Sequence, residues 1–365
     1  MKRDSALIIG GGVHGLSCAL NLAKRGVDVT VVEKLDDILK GTSSATHNRA
    51  HLGYHYPRSL ATAKECLLGY NYFKEHFAEC LHYTDSFYYL IEREGSKVTS
   101  SDYASFCHEA GLDYDLTWPS RNVLDYTHIE ASFLVPEPCF NLPLFREKYK
   151  SIMKEYDVLF IGDFDLYSAV KTDETSYKLV DKMGKSITVP ANVVINATYA
   201  STNNIQRIFS ADEPAKKYLL QTTEVAVVEC DDKIPALTVI DGPFITILPY
   251  VGHKNKYLVY DVIHSIYDVY EGYYYENPDI VDSNWSKMLE HGRKYFPFMD
   301  KLKYVESLYA SRPIPVNSSS DDERETKIIT HKSVDGLYSI LEGKFISAPV
   351  MAEKLINKIY SNGHL

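Results

Sequence analysis

The feature that most restricts the fold of this 365-residue chain is a glycine cluster set between two apolar runs. Residues 6–9 form a short apolar run suited to a fully buried parallel strand. Gly10-Gly11-Gly12-Val13-His14-Gly15 follows at once and satisfies GxGxxG. Leu16, Ala19, Leu20 and Ala23 then recur at helical spacing, and Lys24-Arg25-Gly26 supplies a cationic last turn and a glycine stop. Residues 27–32 are a second, β-branched run that ends on Glu33. Strand, glycine turn, helix, strand and terminal acid stand in register, which is the layout of a dinucleotide-binding βαβ unit. Gly10 permits the tight turn, Gly12 leaves room for a pyrophosphate against the backbone, and Gly15 lets the helix pack closely on the strand. The helix start at Val13 and His14 offers unpaired N–H groups and partial positive charge to phosphates. Glu33, with Lys34 beside it, accepts hydrogen bonds from ribose hydroxyls and repels a ribose phosphate, which disfavours NADP.

A second marked stretch runs Gly41-Thr42-Ser43-Ser44-Ala45-Thr46-His47-Asn48-Arg49-Ala50-His51-Leu52-Gly53-Tyr54-His55-Tyr56-Pro57-Arg58. It is denser in hydroxyl, imidazole and guanidinium groups than a connecting loop needs. Two further segments stand out: Val193-Val194-Ile195-Asn196-Ala197-Thr198, and Leu337-Tyr338-Ser339-Ile340-Leu341-Glu342-Gly343-Lys344-Phe345-Ile346-Ser347-Ala348-Pro349, preceded by Ser311-Arg312-Pro313. Together these resemble the FAD-dependent D-amino-acid-oxidase-like superfamily, and within it the L-2-hydroxyglutarate dehydrogenase and glycerol-3-phosphate dehydrogenase branches. The resemblance implies FAD as cofactor. It implies that Thr42, Ser43, Ser44 and Arg49 run along the cofactor, that Ala197 and Thr198 close over it, and that Gly343, Lys344, Phe345 and Ile346 meet the flavin's pyrimidine end. A helix N-terminus there suits the negative charge of a reduced flavin. Two positions depart from the pattern: Tyr199 stands where glycine follows "NAT", and Glu342 replaces the first glycine of "GGK".

A flavin takes hydride from a carbon bearing an amine or hydroxyl, so the protein must place that C–H, handle the heteroatom's proton and anchor the remainder. His51 and His55 lie in the segment that the resemblance sets beside the ring, and each can act as base or hydrogen-bond donor near neutral pH. Arg312 matches the arginine with which relatives hold a carboxylate or phosphate, a task suited to a planar, permanently charged fork. His264 and Tyr260, on or beside the strand expected at 257–263, are further candidates facing the cleft. No HExxH motif occurs, and no metal centre is expected.

Three matched segments separated by unmatched ones predict a Rossmann-type (glutathione-reductase-like) α/β FAD domain at 1–75, 139–212 and 310–365. An α+β substrate lobe on an antiparallel sheet is expected at 76–138 and 213–309. A helix is expected at 145–155, a strand at 158–161, and a meander at 166–170, 177–180 and 186–189 turning on Met183-Gly184-Lys185. Lobe strands are expected at 222–228, 244–249 and 257–263, a helix at 285–295, and a polar loop at 317–325. The tyrosines at 267, 270 and 273–275 either stack on a ring-containing substrate or cover a sheet face or contact.

The net charge of −10 argues against a nucleic-acid binder, which needs clustered positive charge. Six scattered cysteines without a CxxC pair suit reduced thiols and a cytoplasmic setting. The basic start followed by an apolar run superficially matches a signal peptide, but Gly10, Gly11, Gly12, Gly15 and His14 interrupt it. No transmembrane segment is expected, although peripheral contact with a bilayer is compatible with a quinone acceptor. The reading is an FAD-dependent dehydrogenase or oxidase acting on a small polar, anionic metabolite, with oxygen, a quinone or a carrier protein as electron acceptor. The alternatives are a flavoenzyme modifying an amino sugar or other biosynthetic intermediate, and a non-catalytic FAD-binding redox module.

Overall fold

The computed structural model describes residues 3–210, 213–316 and 327–365; the loop expected at 317–325 lies outside them. The fingerprint folds as β1 (Ser5–Ile9), α1 (Val13–Lys24) and β2 (Asp28–Val32). The six-stranded sheet runs Lys327–Thr330, Leu337–Leu341, Val193–Asn196, β1, β2, Leu159–Ile161. All neighbours are parallel except the edge strand Lys327–Thr330. Ile9 sits in register with both Asn196 and Val32. Three strands therefore end at one level, and their carboxyl ends open beside the N-terminus of α1, where such sheets bind ligands.

Both faces of this sheet are buried, which is why its strands read as continuous apolar runs. One face packs under α1 and the C-terminal helix Ala348–Ser361, with Leu16, Ala19, Leu355 and Ile359 in one core. The other carries the meander Leu166–Asp173, Ser176–Asp181 and Ser186–Pro190, where Leu7, Ile9 and Val194 meet Phe164, Leu166 and Leu179.

The lobe is built on a nine-stranded sheet whose spine is Tyr218–Glu229. Lys303–Pro315 pairs along its whole length on one side; Ile266–Gly272 and Lys256–Asp261 share the other. Ile245–Pro249, Ala236–Ile240, Phe87–Glu92, Ile129–Leu134 and Asp115–Leu116 continue outward. The sheet is antiparallel except at one seam, where Phe87–Glu92 runs parallel to Ala236–Ile240. The boundary drawn from sequence at 309/310 falls inside the Lys303–Pro315 strand. Helix Trp285–Gly292 covers one face, packing Met288 against Ile245, Ile247 and Val259. Because side chains alternate along a strand, Thr246, Tyr260 and Leu258 point to the other face, toward the nucleotide-binding half.

The helix Ser100–Ala110 has no counterpart in the sequence expectations. Its signals are local: Thr99 and Asp102 form a reciprocal capping box, and Gly111 ends the helix at φ +69°.

The tyrosine run resolves into a contact between the two halves. Side-chain amides of helix Thr202–Phe209 hold its backbone: Asn203 donates to Lys216 O and Tyr273 O, each at 2.6 Å, and Asn204 exchanges bonds with Tyr275. Arg207 lies 4.3 Å from the Tyr274 ring centre. Tyr270 and Tyr275 pack with Tyr218, Leu220 and Leu341. Tyr270, Tyr274 and Tyr275 thus join the lobe edge to the nucleotide-binding half, while the Tyr273 side chain stays exposed.

Candidate active site

The cradle at the N-terminus of α1 is shaped by three glycines with different reasons for being there. Gly10 has φ +111°, and a Cβ on it would stand 2.7 Å from Ala197 O; a Cβ on Gly15 would stand 2.0 Å from Gly10 O. At Gly12 only Ser43 Oγ, at 3.2 Å, comes within 4 Å. Protein packing therefore forbids side chains at Gly10 and Gly15, whereas the space before Gly12 is left for a ligand. The first turn of α1 holds no acid, and Val13 N–H donates to Ser43 Oγ at 3.0 Å. Glu33 closes the far side: it accepts from Gly11 N–H at 2.6 Å and Leu35 N–H at 3.0 Å, so its carboxylate is fixed beside the turn. Glycine clearance, helix N–H groups and an oriented acid fit the diphosphate and ribose of a dinucleotide. Lys34 is exposed next to it.

Other expected cofactor residues divide by position. Ala197 and Thr198 lie against Gly10, with Thr198 Oγ1 bonded to Asn196 Oδ1 at 2.7 Å. Ser44 is spent inside its own turn on Lys40 O and Gly41 O, while Thr42 is partly exposed. Tyr199 adopts φ +53°, the left-handed backbone that glycine would take freely, and its ring packs against Tyr218, Leu220 and Leu341. The ring contact offsets a strain of order 1–3 kcal/mol.

The Gly343–Ile346 loop sits beside the same helix start. His14 Nε2–H donates to Lys344 O at 3.2 Å, and burial pushes the His14 imidazole down to about 4. Lys344 is buried between Glu342, at 3.7 Å, and Glu65, at 3.9 Å, so its charge answers protein carboxylates. Burial raises the Glu342 carboxyl, and Lys344 opposes that rise. Phe345 and Ile346 do not present side chains to a ligand. Phe345 packs among Phe73, Phe140 and Phe145, and the Ile346 carbonyl meets helix Leu60–His76 so closely that a Cβ on Gly69 would lie 2.0 Å from it.

His47, His51 and His55 recur every fourth residue, yet the chain is not helical there; His51 and His55 meet at 5.6 Å between ring centres. The segment is stitched to residues 138–140 by Ala50 N–H to Pro138 O and Phe140 N–H to Asn48 O. Arg49 is its buried hub. Its Nη2 donates to Thr238 Oγ1 at 2.6 Å and Thr246 Oγ1 at 3.1 Å; its Nη1 donates to Tyr89 Oη at 3.0 Å and lies 3.0 Å from His55 Nδ1. Glu137, fully buried, faces Arg49 Nε at 3.7 Å and accepts from Tyr89 Oη at 2.5 Å and Leu52 N–H at 2.8 Å. Arg49, expected along the cofactor, thus engages lobe groups and positions His55.

That contact fixes the chemistry open to His55. A guanidinium only donates, so His55 Nδ1 accepts and the ring proton resides on Nε2. Of the two roles read from sequence, donor and base, the geometry favours the donor. His51 is held well below the usual imidazole range by burial, then by Arg49, His55, His47 and Lys344 around it. It is neutral at physiological pH.

Across from this segment lies the inner face of the lobe sheet. Tyr260 is paired with Thr246 and touches the His47 ring at 4.5 Å. Phe244 contacts His55 at 5.2 Å and Tyr260 at 5.9 Å. Arg312 stands opposite Gln221 and donates Nε–H to Gln221 Oε1 at 2.6 Å. His47, Phe244, Gln221 and Glu137 were not singled out from sequence; only His47 carried a signal, as the first of the three spaced histidines. His264 requires a correction. It lies in the turn beyond the strand, its ring 5.8 Å from His291 of the helix on the outer face, so it does not share Tyr260's face.

A dinucleotide cradle at the carboxyl edge of a parallel sheet, with imidazoles on the adjoining 47–55 segment and a lobe sheet bearing phenol and guanidinium groups opposite, defines a two-part nucleotide-dependent oxidoreductase. The chain belongs to the FAD dependent oxidoreductase (DAO) family, whose pattern spans residues 5–356, and FAD is its cofactor. It is 20% identical to the FAD-dependent monooxygenase FPY4 of Fusarium mangiferae, over 96% of this chain and 90% of that one. It is 22% identical to one component of the anaerobic glycerol-3-phosphate dehydrogenase of Escherichia coli, over 96% of this chain and 66% of that one. The crystal structure of L-proline dehydrogenase from P. horikoshii superposes with a TM-score of 0.75 at 15% identity, covering 99% of this chain and 94% of that one. The family read from the three segments is therefore the right one. Among the described residues no helix is long and apolar enough to cross a membrane, and all six cysteines are free and buried.

Proposed function

We propose that this flavoenzyme oxidises a carbon bearing a hydroxyl or amine in a small anionic metabolite. Bound FAD supplies the hydride acceptor. Arg312 anchors the carboxylate or phosphate, and the bond to Gln221 holds its guanidinium plane on the inner face of the lobe sheet. His55, oriented by Arg49, donates Nε2–H to the substrate heteroatom. His51, neutral and in the same segment, passes the heteroatom's proton on without keeping it, because burial and Arg49 hold it well below the usual imidazole range. Tyr260 bounds the pocket between them.

The observation that carries this reading is the shared face. Gln221 and Val225 are four residues apart on one strand, and Val225 neighbours Tyr260 across the sheet. The Arg312 and Tyr260 backbones are thus separated by about 13 Å along the strands and about 10 Å across them, so the two side chains border opposite ends of one face. Anaerobic mixing with 2-hydroxy acids, α-amino acids, glycerol phosphates and neutral sugars tests it by the loss of oxidised-flavin absorbance. Bleaching by an anionic hydroxy or amino compound is expected. Bleaching by neutral sugars alone overturns the anion anchor, and bleaching by nothing in the panel favours a redox module.

A further inference from the structure

On the outer face of the lobe sheet, remote from the cradle, three side chains from three elements converge. Asp261 ends the strand Lys256–Asp261, His264 lies in the following turn, and His291 is in the last turn of helix Trp285–Gly292. One ligand atom from each lies within 4.8 Å of the other two. We propose that Asp261, His264 and His291 bind a single divalent ion of the zinc type.

The carboxylate is oriented before any ion arrives. Asp261 is fully buried, and its Oδ1 accepts from Ile263 N–H at 2.9 Å and His264 N–H at 3.2 Å. The turn is tightened further by Ser265, which bonds back to Asp261 through backbone and side chain. Those contacts leave Oδ2 pointing at His291 Nδ1, 2.5 Å away. A ligating carboxylate held by donors on its other oxygen is the usual outer support of a metal centre. The N–H of His264 is one of those donors, so the turn that fixes the carboxylate also brings the second imidazole to it. The His264 ring stands edge-on to His291 at 81°.

The donor set selects the ion. Two imidazoles and one carboxylate suit zinc, cobalt or nickel, and not calcium or magnesium, which prefer all-oxygen ligands. With bonds of about 2.0–2.2 Å, tetrahedral donors are separated by about 3.3 Å. The Asp261 Oδ2–His291 Nδ1 contact, 2.5 Å apart, would open to that spacing as the ion replaces the proton between them, and the His264 donor, within 4.8 Å of both, would move in, with water at the fourth position. The consequence is mechanical. Glu224 already ties the start of helix Trp285–Gly292 to the sheet by accepting from Ser283 Oγ and Asn284 N–H. The ion would clip the helix's other end to the strand. No sequence motif announces this, because His264 and His291 belong to different elements.

The test uses the flavin-loaded protein after chelator treatment and dialysis. Zinc is titrated in by calorimetry, with elemental analysis of the gel-filtered product. One tight equivalent and a melting temperature that rises until that equivalent is reached are expected. His264→Ala, on the exposed turn, and Asp261→Asn, which keeps an acceptor for the two N–H groups, should retain flavin and fold. Each should weaken zinc by more than the about 100-fold typical of losing an outer support. Weak uptake of several equivalents by scattered histidines, unchanged in both variants, overturns the proposal. So does tight binding of one equivalent that survives both substitutions.

Discussion

Lowering the pH tests the contact between α1 and the C-terminal loop through one imidazole. His14 donates Nε2–H to Lys344 O, and its Nδ1 is buried without a hydrogen-bond partner. Protonation would place a second N–H where nothing accepts it, which fits the fall from 6.5 to about 4 caused first by burial. The folded value lies below the unfolded one, so His14 contributes stability that is complete above pH 6.5 and is lost as the pH falls toward 4. The separation corresponds to about 3 kcal/mol at full protonation, and about 2 kcal/mol of it is lost by pH 5. His14→Gln keeps a donor for Lys344 O and cannot titrate. Urea unfolding at pH 7.5 and pH 5, followed by flavin fluorescence and circular dichroism, should show wild type losing about 2 kcal/mol more than the variant. Flavin release should track that loss, since the helix start and the loop both border the cradle. Parallel pH dependence in the two proteins would refute the reasoning.

Gly12→Val should abolish flavin binding while the circular dichroism of the sheets persists, because only Ser43 Oγ stands near the new side chain; stoichiometric flavin in the purified variant would show that Gly12 does not border the phosphates. Arg312→Lys and Arg312→Ala should leave flavin content normal and lower kcat/KM about tenfold to a hundredfold, the equivalent of a charge-assisted contact of roughly 1.5–3 kcal/mol. Near-wild-type kinetics in both would end its role as anchor. Arg49→Met leaves Glu137 buried without its cation and should cost about 3–5 kcal/mol in unfolding free energy, and adding Glu137→Gln should recover a large part of it. Strictly additive losses in the double variant would mean that the pair is not coupled.

What could be read from sequence was whatever depended on neighbours in the chain. The βαβ unit is legible because its glycines, helix period and terminal acid lie within residues 5–33. The meander is legible because hairpin turns are local, and it forms as Leu166–Asp173, Ser176–Asp181 and Ser186–Pro190. The pocket face is different. Gln221, Thr246, Tyr260 and Arg312 come together only through strand pairing between distant segments. His264 was misplaced because a strand read to 263 ends at Asp261, and the turn that follows reverses the expected face. The side-chain partners of Arg49, Thr238 and Thr246, lie some 190 residues away, so only the fold reveals them. Helix Ser100–Ala110 carried a capping box in plain view, and its polar composition hid it.

The Asn203 and Asn204 amides at one end, and the Arg49 guanidinium with its two threonines at the other, work like two bolts through a plate. A lobe fastened at both ends does not swing as a door. Opening it would strand a buried cation and several backbone carbonyls, each costly to leave unpaired. The wall between them, residues 241–244, is held as firmly: Phe244 rests on His55, Asp241 pairs with Arg58 at 2.8 Å, and Lys97 N–H and Val262 N–H donate to the backbone oxygens of Asp241 and Phe244. A substrate therefore meets a preformed face, and binding does little of the work of assembling it.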